Sequence, residues 1–279
     1  MPSRWEVLLA GLQDAPVPLA APQAVVSGWL DDPPPRVTEP AAVAGARSAH
    51  ADSARAWACG PLQTCPAGDL GESGARTILH VRLLDDALAG RLAGAVRPGR
   101  SVRLGACEYQ IAAPPRETGR IGWPELQKWS GERAWQVHFV TPVCLRRGNR
   151  TSPWPAPDSV ARGLAERWRR LDPATAPALP PRGGAPVWVS DIEGHSEAHI
   201  LTRRAKRGGQ RLLTEEVISG FTGRIRYVCD GGTETEAADF GALLAFAAYA
   251  GAGSHTTYGF GVLCPEPTWQ PPTLRPGQP

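Results

Sequence analysis

Residues 77–84 (TILHVRLL) alternate cleanly: Ile78, His80, Arg82 and Leu84 fall on one side of an extended chain, with Leu79, Val81 and Leu83 on the other, which predicts a strand. Behind it, Leu88, Leu92 and Val96 recur every four positions, and Asp85 or Asp86 can cap the helix that this spacing predicts. Upstream, residues 4–12 (RWEVLLAGL) read as a strand and 21–30 (APQAVVSGWL) as a short helix, which the prolines of DDPPPRVTEP end. Trp57–Leu62 and Ser101–Ile111 supply two more strands. The order is strand, helix, strand, strand, helix, strand.

That order then recurs. Trp135–Val143 is a strand, and Pro157–Leu171 a helix with Val160, Leu164, Trp168 and Leu171 on one face and Arg162, Arg169 and Arg170 largely off it. Val187–Ile192 with Ala198–Arg203, and then Val217–Cys229, read as strands. Thr233–Ala250 is a helix opened by the capping box Thr233-x-x-Glu236 and apolar nearly all round, so it is expected to be buried. Tyr258–Cys264 closes the set. Two βαββαβ units in tandem predict an α+β fold of two ferredoxin-like domains, a topology that RNA-recognition modules also use. The expected division is an N-terminal domain over 1–132, a C-terminal domain over 133–265, and a flexible proline-rich tail over 266–279.

Composition adds exclusions. With 42% hydrophobic and 20% charged residues in 279, the chain can bury a core, so it is neither a disordered tail nor a disulfide scaffold. Six dispersed cysteines without a CxxC pair read as reduced, mostly buried thiols. The N-terminus lacks the apolar core of a signal peptide, and the longest apolar run, Phe240–Ala250, is too short to span a bilayer. A cytoplasmic protein with no membrane partner is expected. Charge changes the picture more. Residues 1–140 are balanced, residues 141–228 carry 15 basic and 8 acidic side chains for +7, and residues 229–279 carry −4. A middle block this basic suits a polyanion, or equally a solvated helix face with its loops.

The most informative stretch is Gly251-Ala-Gly253-Ser-His255-Thr-Thr-Tyr258-Gly259-Phe-Gly261. Four glycines in eleven residues permit positive φ and close backbone approach, and successive amides in such a loop can form an anion nest. It is no dinucleotide fingerprint, because it follows a helix instead of opening one and has Thr256 where a third glycine belongs. Its spacing resembles the glycine-rich loop of the RAMP superfamily of CRISPR proteins. SGFTGRIRYV (219–228) and FVTPVCLRRGNRTSPWPAPDSVARGLAERW (139–168) resemble segments of the sixth Cas family, the CRISPR repeat-processing endoribonucleases. AHADSARAWACGPL (49–62) is similar to that family's histidine-containing segment and second strand, and VRLLDDALAGRL (81–92) to its strand-to-helix step.

The resemblance implies a metal-independent endoribonuclease that cuts precursor CRISPR RNA within each repeat and needs no cofactor. The scissile 2′-hydroxyl attacks the adjacent phosphate, leaving a 2′,3′-cyclic phosphate and a 5′-hydroxyl. That chemistry asks for a group of near-neutral pKa and for cationic donors to the phosphoryl oxygens. His50, in the polar loop 47–55 where the family places its catalytic histidine, is the candidate acid or base. Arg55, and secondarily Arg47, are candidates for charge stabilisation, and Ser48 and Ser53 for orienting the phosphate. The tyrosine or lysine that relatives often pair with the histidine has no counterpart nearby. His255 stands where relatives carry Lys or Arg and is either a phosphate contact or a second-choice catalyst. His80 and His138 read as strand residues, and His195 with His199 as an improbable zinc pair. The implied partner is a repeat RNA stem-loop, with other CRISPR effector subunits as further candidates. Its expected contacts are Arg146, Arg147 and Arg150, the hairpin residues Arg203, Arg204, Lys206 and Arg207, the strand residues Arg224 and Arg226, and Gly251, Gly253, His255, Gly259 and Gly261. Trp57, Trp154 and Trp188 can stack bases or fill the core. The rival reading is a RAMP-fold subunit that binds the repeat hairpin without cutting it, and a more distant one is a general RNA-recognition protein.

Overall fold

The structure, a computed structural model, describes residues 1–11, 17–31, 55–65, 76–128, 131–147, 150–178, 186–207 and 210–266, and within these the side chains of Cys65, Arg147 and residues 202–213 are left aside. In the N-terminal half, β1 (Ser3–Ala10), α1 (Ala21–Leu30), β2 (Trp57–Cys65), β3 (Arg76–Leu83), α2 (Ala87–Ala95), β4 (Ser101–Leu104) and β5 (Cys107–Ile111) form one sheet with two helices. The sheet order is β2-β3-β1-β5-β4. β1 and β3 pair antiparallel from Ser3↔Leu83 to Ala10↔Arg76, which puts Val7, Leu9, Leu79 and Val81 under Val26, Leu30 and Leu92 of the helices.

The C-terminal half repeats the plan. It contains β7 (Ala134–Val143), β8 (Leu145–Arg147), β9 (Arg150–Ser152), α4 (Pro157–Leu171), β10 (Val187–Arg207), β11 (Gln210–Cys229), α5 (Glu234–Ala250) and β12 (Leu263–Pro265). Its sheet runs β10-β11-β7-β12, so in both halves the first strand lies between the third and the last, as in a ferredoxin-like fold. The apolar face of α4 and the all-round apolar α5 close over Phe139, Ile225 and Tyr227, with the Trp168 and Phe246 rings 5.1 Å apart and Trp135 and Phe240 5.0 Å apart. Thr233 caps α5: its hydroxyl accepts from the Glu236 amide, and the Glu236 carboxylate accepts from the Thr233 amide at 2.8 Å.

Four local readings need correction. The strand expected over 101–111 breaks into β4 and β5 at a tight turn with Gly105 at φ 64°. The two pieces 187–192 and 198–203 are one continuous β10, which pairs with β11 from Val187↔Cys229 to Arg207↔Gln210. The closing strand shrinks to Leu263–Pro265, because Thr256–Tyr258 form a 3-10 turn. An additional strand, β6 (Arg116–Arg120), pairs with β1 and leads into a short helix, α3 (Trp123–Leu126). Its alternation is polar throughout, so periodicity gave no sign of it. Cys59, Cys107, Cys144 and Cys229 are buried thiols outside any disulfide, and Cys264 is an exposed one. Among the described residues no helix is long and apolar enough to cross a membrane.

The halves meet through α5 and the loop that follows it. The Arg4 guanidinium lies 5.0 Å from the centre of the Tyr249 ring, and Leu84 and Leu126 join the C-terminal core. Leu19, at the entrance to α1, contacts Gly259.

Candidate nucleic-acid interface

The loop after α5 is held by its own backbone. Gly251, Gly253, Gly259 and Gly261 all have φ between 67° and 86°. Two of them are required by proximity as well as by φ: a Cβ at Gly261 would sit 1.8 Å from the Ala252 carbonyl oxygen, and one at Gly253 2.4 Å from that of Cys144. The Ala252 amide donates to Gly261 O at 2.8 Å, the Gly261 amide to Pro142 O at 2.9 Å, and the Ser254 amide to Cys144 O at 2.8 Å. With Gly251, Tyr258, Gly259 and Phe260 also donating to loop or helix carbonyls, most amides that an anion nest needs are already engaged. The loop presents a shape, docked on the end of β7 and against Leu19 of the other half.

His255 sits inside this loop as the non-glycine residue with positive φ (63°) among the described residues. Its ring is buried between Tyr258 and Phe260, with centroids 6.0 Å away in each case, and Nδ1 lies 3.0 Å from the Ser254 hydroxyl. The imidazole therefore contributes to the packing of the loop.

On the N-terminal side, the chain enters at Arg55. Its Nε lies 3.2 Å from Asp31 Oδ2, and its guanidinium stacks 5.3 Å from the centre of the Trp57 ring. Asp31 also accepts from Trp57 Nε1 at 2.8 Å and from the Ser27 hydroxyl at 2.5 Å. Trp57 is thus a core residue, 1% exposed, and no base-stacking platform. His50, Ser48, Arg47 and Ser53 lie outside the described residues.

Between Arg55 and the glycine-rich loop stands a residue that has, from sequence, no role beyond its place in the family-like segment 139–168. Arg167, on the buried face of α4, is 5% exposed. Its Nη1 donates to Ala250 O at 2.6 Å and to Thr256 Oγ1 at 2.8 Å, and its Nη2 to Trp57 O at 3.1 Å and Arg55 O at 3.3 Å. Burial, followed by the repulsion of Arg170 and Arg82, pushes its pKa down to about 9. The sequence did carry a signal: residues 160, 164, 167 and 171 form one helical stripe, and an arginine there is out of pattern.

The basic residues fall into two settings. Beyond Phe221 the ladder between β11 and β7 ends, and β10 and β11 continue as a two-stranded ribbon whose far end carries Arg203, Arg204, Lys206 and Arg207. Leu201 and Ile218 anchor the ribbon on Cys144 and Phe260, beside the glycine-rich loop. Arg146 and Arg150 are exposed in the β8–β9 hairpin, and Arg147 pairs with Arg150 there. Arg224 and Arg226 are different. Arg224 Nε lies 2.7 Å from Glu266 and its Nη1 3.9 Å from Glu193, while Arg226 lies 3.6 Å from Asp191, so this sheet face is nearly neutral. Trp154 and Trp188 are exposed and available for stacking. His195 and His199 both approach the Glu197 carboxylate, the second at 3.6 Å, and no group of three or more metal-ligating side chains gathers among the described residues.

Comparison with known proteins agrees with this geometry. The family model described as CRISPR-associated endoribonuclease Cas6 matches residues 137–263. A search of curated proteins finds no match. Among solved structures, a Cas6 product complex (TTHA0078) is 25% identical with a TM-score of 0.62, over 95% of this chain and 99% of that one. Thermus thermophilus Cas6 (TTHB231) is 19% identical with a TM-score of 0.63, over 95% and 98%. A Cas6-related gene product of Pyrococcus furiosus is 14% identical at 0.51, over 96% and 100%.

Proposed function

We propose that the chain is a member of the Cas6 repeat-processing family, and that it is a cytoplasmic, metal-independent endoribonuclease cutting precursor CRISPR RNA within its repeats. The observation that supports this most is the junction. The segment that follows the His50 loop, Arg55–Trp57, is hydrogen-bonded through Arg167 to the glycine-rich loop, beside which the basic ribbon begins.

In this reading the ribbon tip and the β8–β9 hairpin grip the repeat stem through its phosphates, and the junction receives the scissile nucleotide. The 2′-hydroxyl gives up its proton and attacks phosphorus, the P–O5′ bond breaks, and the 5′-oxygen takes a proton. His50 carries one of those two protons, Ser48 orients the phosphate, and Arg55 meets the charge on the phosphoryl oxygens. Asp31 and the Trp57 ring hold the Arg55 guanidinium in place beforehand.

The test is cleavage of end-labelled repeat RNA in excess EDTA, beside a substrate with 2′-deoxyribose at the scissile nucleotide. The proposal expects a 2′,3′-cyclic phosphate and a 5′-hydroxyl from the first and intact RNA from the second. Cleavage that chelation abolishes, or that the deoxy substrate survives, overturns the mechanism. Tight, selective binding with both RNAs intact establishes the non-catalytic hairpin binder instead.

A further inference from the structure

We propose that Arg167 is a positioning residue for RNA cleavage: its guanidinium ties the segment leaving the candidate catalytic loop to the glycine-rich loop, so that proton-transfer group and bound RNA keep one relative placement. The inference rests on the nuclease reading above and deepens it. Four oxygens surround the two terminal nitrogens, and they divide by half of the molecule. Ala250 O and Thr256 Oγ1 at 2.6 and 2.8 Å belong to the end of α5 and the loop turn, and Trp57 O and Arg55 O at 3.1 and 3.3 Å belong to the entrance of β2. None of the four is a carboxylate oxygen. Among the described residues Arg167 has no counter-ion, and a buried cation so placed is an expensive way to fill a helix stripe that Leu or Met fills without desolvating a charge.

What a guanidinium supplies and an apolar residue or a lysine does not is a planar fork, with separate N–H groups fixed in direction relative to one another. Here one prong grips each half. The carbonyls of Arg55 and Trp57 lie on either side of the bend at Ala56, so holding both fixes the direction in which the chain enters β2. On the other side Thr256 opens the 3-10 turn that ends at Tyr258, and its methyl lies 3.1 Å from where a Cβ on Gly251 would be. A nearby buried arginine, Arg82, has its Nη1 without a hydrogen-bond partner. Arg167 shares that feature at its Nε but adds the four bonds above, so Arg82 serves as an internal comparison.

The experiment uses the full chain with Arg167→Lys, Thr256→Val and Arg82→Lys. Three quantities are read: the single-turnover cleavage rate at saturating protein, the Kd for a repeat carrying 2′-deoxyribose at the scissile position, and hydrogen exchange of peptides over 55–65, 251–261 and 101–111. The account expects Arg167→Lys to bind within about threefold of wild type while cleaving at least about thirtyfold more slowly. Exchange should rise in the first two peptides and stay unchanged in the third. Thr256→Val, which removes only one loop-side bond, should show the same split at about three- to tenfold and covers the case in which Arg167→Lys does not fold. Arg82→Lys should leave the ratio of cleavage to binding unchanged. Wild-type cleavage by Arg167→Lys, or parallel losses of rate, affinity and exchange protection across all three peptides, overturns the proposal. If the wild-type chain binds repeat RNA without cutting it, the nuclease reading fails separately. In that case, unchanged exchange at 55–65 in the variant overturns the tie itself, and faster exchange there upholds it.

Discussion

Gly261→Ala isolates what the glycines of the last loop do. At φ 67° an alanine pays about 1 kcal/mol for the left-handed conformation alone. Its Cβ would stand 1.8 Å from Ala252 O and 2.9 Å from Ala252 C, so the facing backbone must move by more than an ångström. That movement breaks the Ala252 N–H to Gly261 O bond (2.8 Å) and displaces the Gly261 N–H to Pro142 O bond (2.9 Å), at about 1 kcal/mol each. With the strain of partial relaxation added, the expected loss is about 3–5 kcal/mol. Two controls separate the contributions. Gly99 has φ 80° with nothing within 4 Å of its Cβ position, so Gly99→Ala should lose only about 1 kcal/mol. Gly90 lies within α2 with equally open surroundings, so Gly90→Ala should gain about 0.5–1 kcal/mol. Chemical denaturation of the three full-length variants measures the series, and affinity for uncleavable repeat RNA shows whether loop shape governs binding. A Gly261→Ala loss no larger than that of Gly99→Ala would refute the close-packed description of the loop.

Three further outcomes follow from the geometry. Replacing Arg203, Arg204, Lys206 and Arg207 together by Gln should flatten the salt dependence of repeat binding by about 2–4 in log–log slope, measured from 50 to 300 mM salt; an unchanged slope places the stem elsewhere. Replacing Arg224 and Arg226 by Gln should alter that slope by less than about 1, since carboxylates already face both. Burial lowers the pKa of His80 despite Glu6 at 3.9 Å, so below about 6.5 the unfolded chain takes up a proton that the folded ring declines. Stability is therefore full above that pH and falls beneath it, and His80→Gln should remove part of the fall between pH 6.5 and 5; identical acid limbs contradict the assignment.

The fold was legible where burial imposes a period. β3, α4 and α5 follow from alternation, a stripe and a capping box, and the repeated order gave both ferredoxin-like units. β6 escaped because a polar edge strand on β1 leaves no hydrophobic trace. The length of β10 escaped because Gly194 and the polar run Glu193–Glu197 read as a break, whereas pairing with β11 continues across them. At the site, the loop glycines announced themselves by spacing, but the reason for them is contact with Ala252 and Cys144, which only the fold supplies. Arg167 was hidden because a charged residue on an apolar stripe reads as noise until the four oxygens around it come from different parts of the chain. Trp57 reads as a stacking candidate in sequence, and its bond to Asp31, 26 residues earlier, makes it core.

The most direct measurement is single-turnover cleavage of repeat RNA by His50→Ala alongside its affinity for the uncleavable repeat. The account predicts a rate at least about a thousandfold below wild type with Kd changed by less than about threefold, because in the proposed mechanism the imidazole moves a proton while the arginine-bearing ribbon holds the RNA. Cleavage within tenfold of wild type would mean that another group does the chemistry and that the first half contributes only a scaffold.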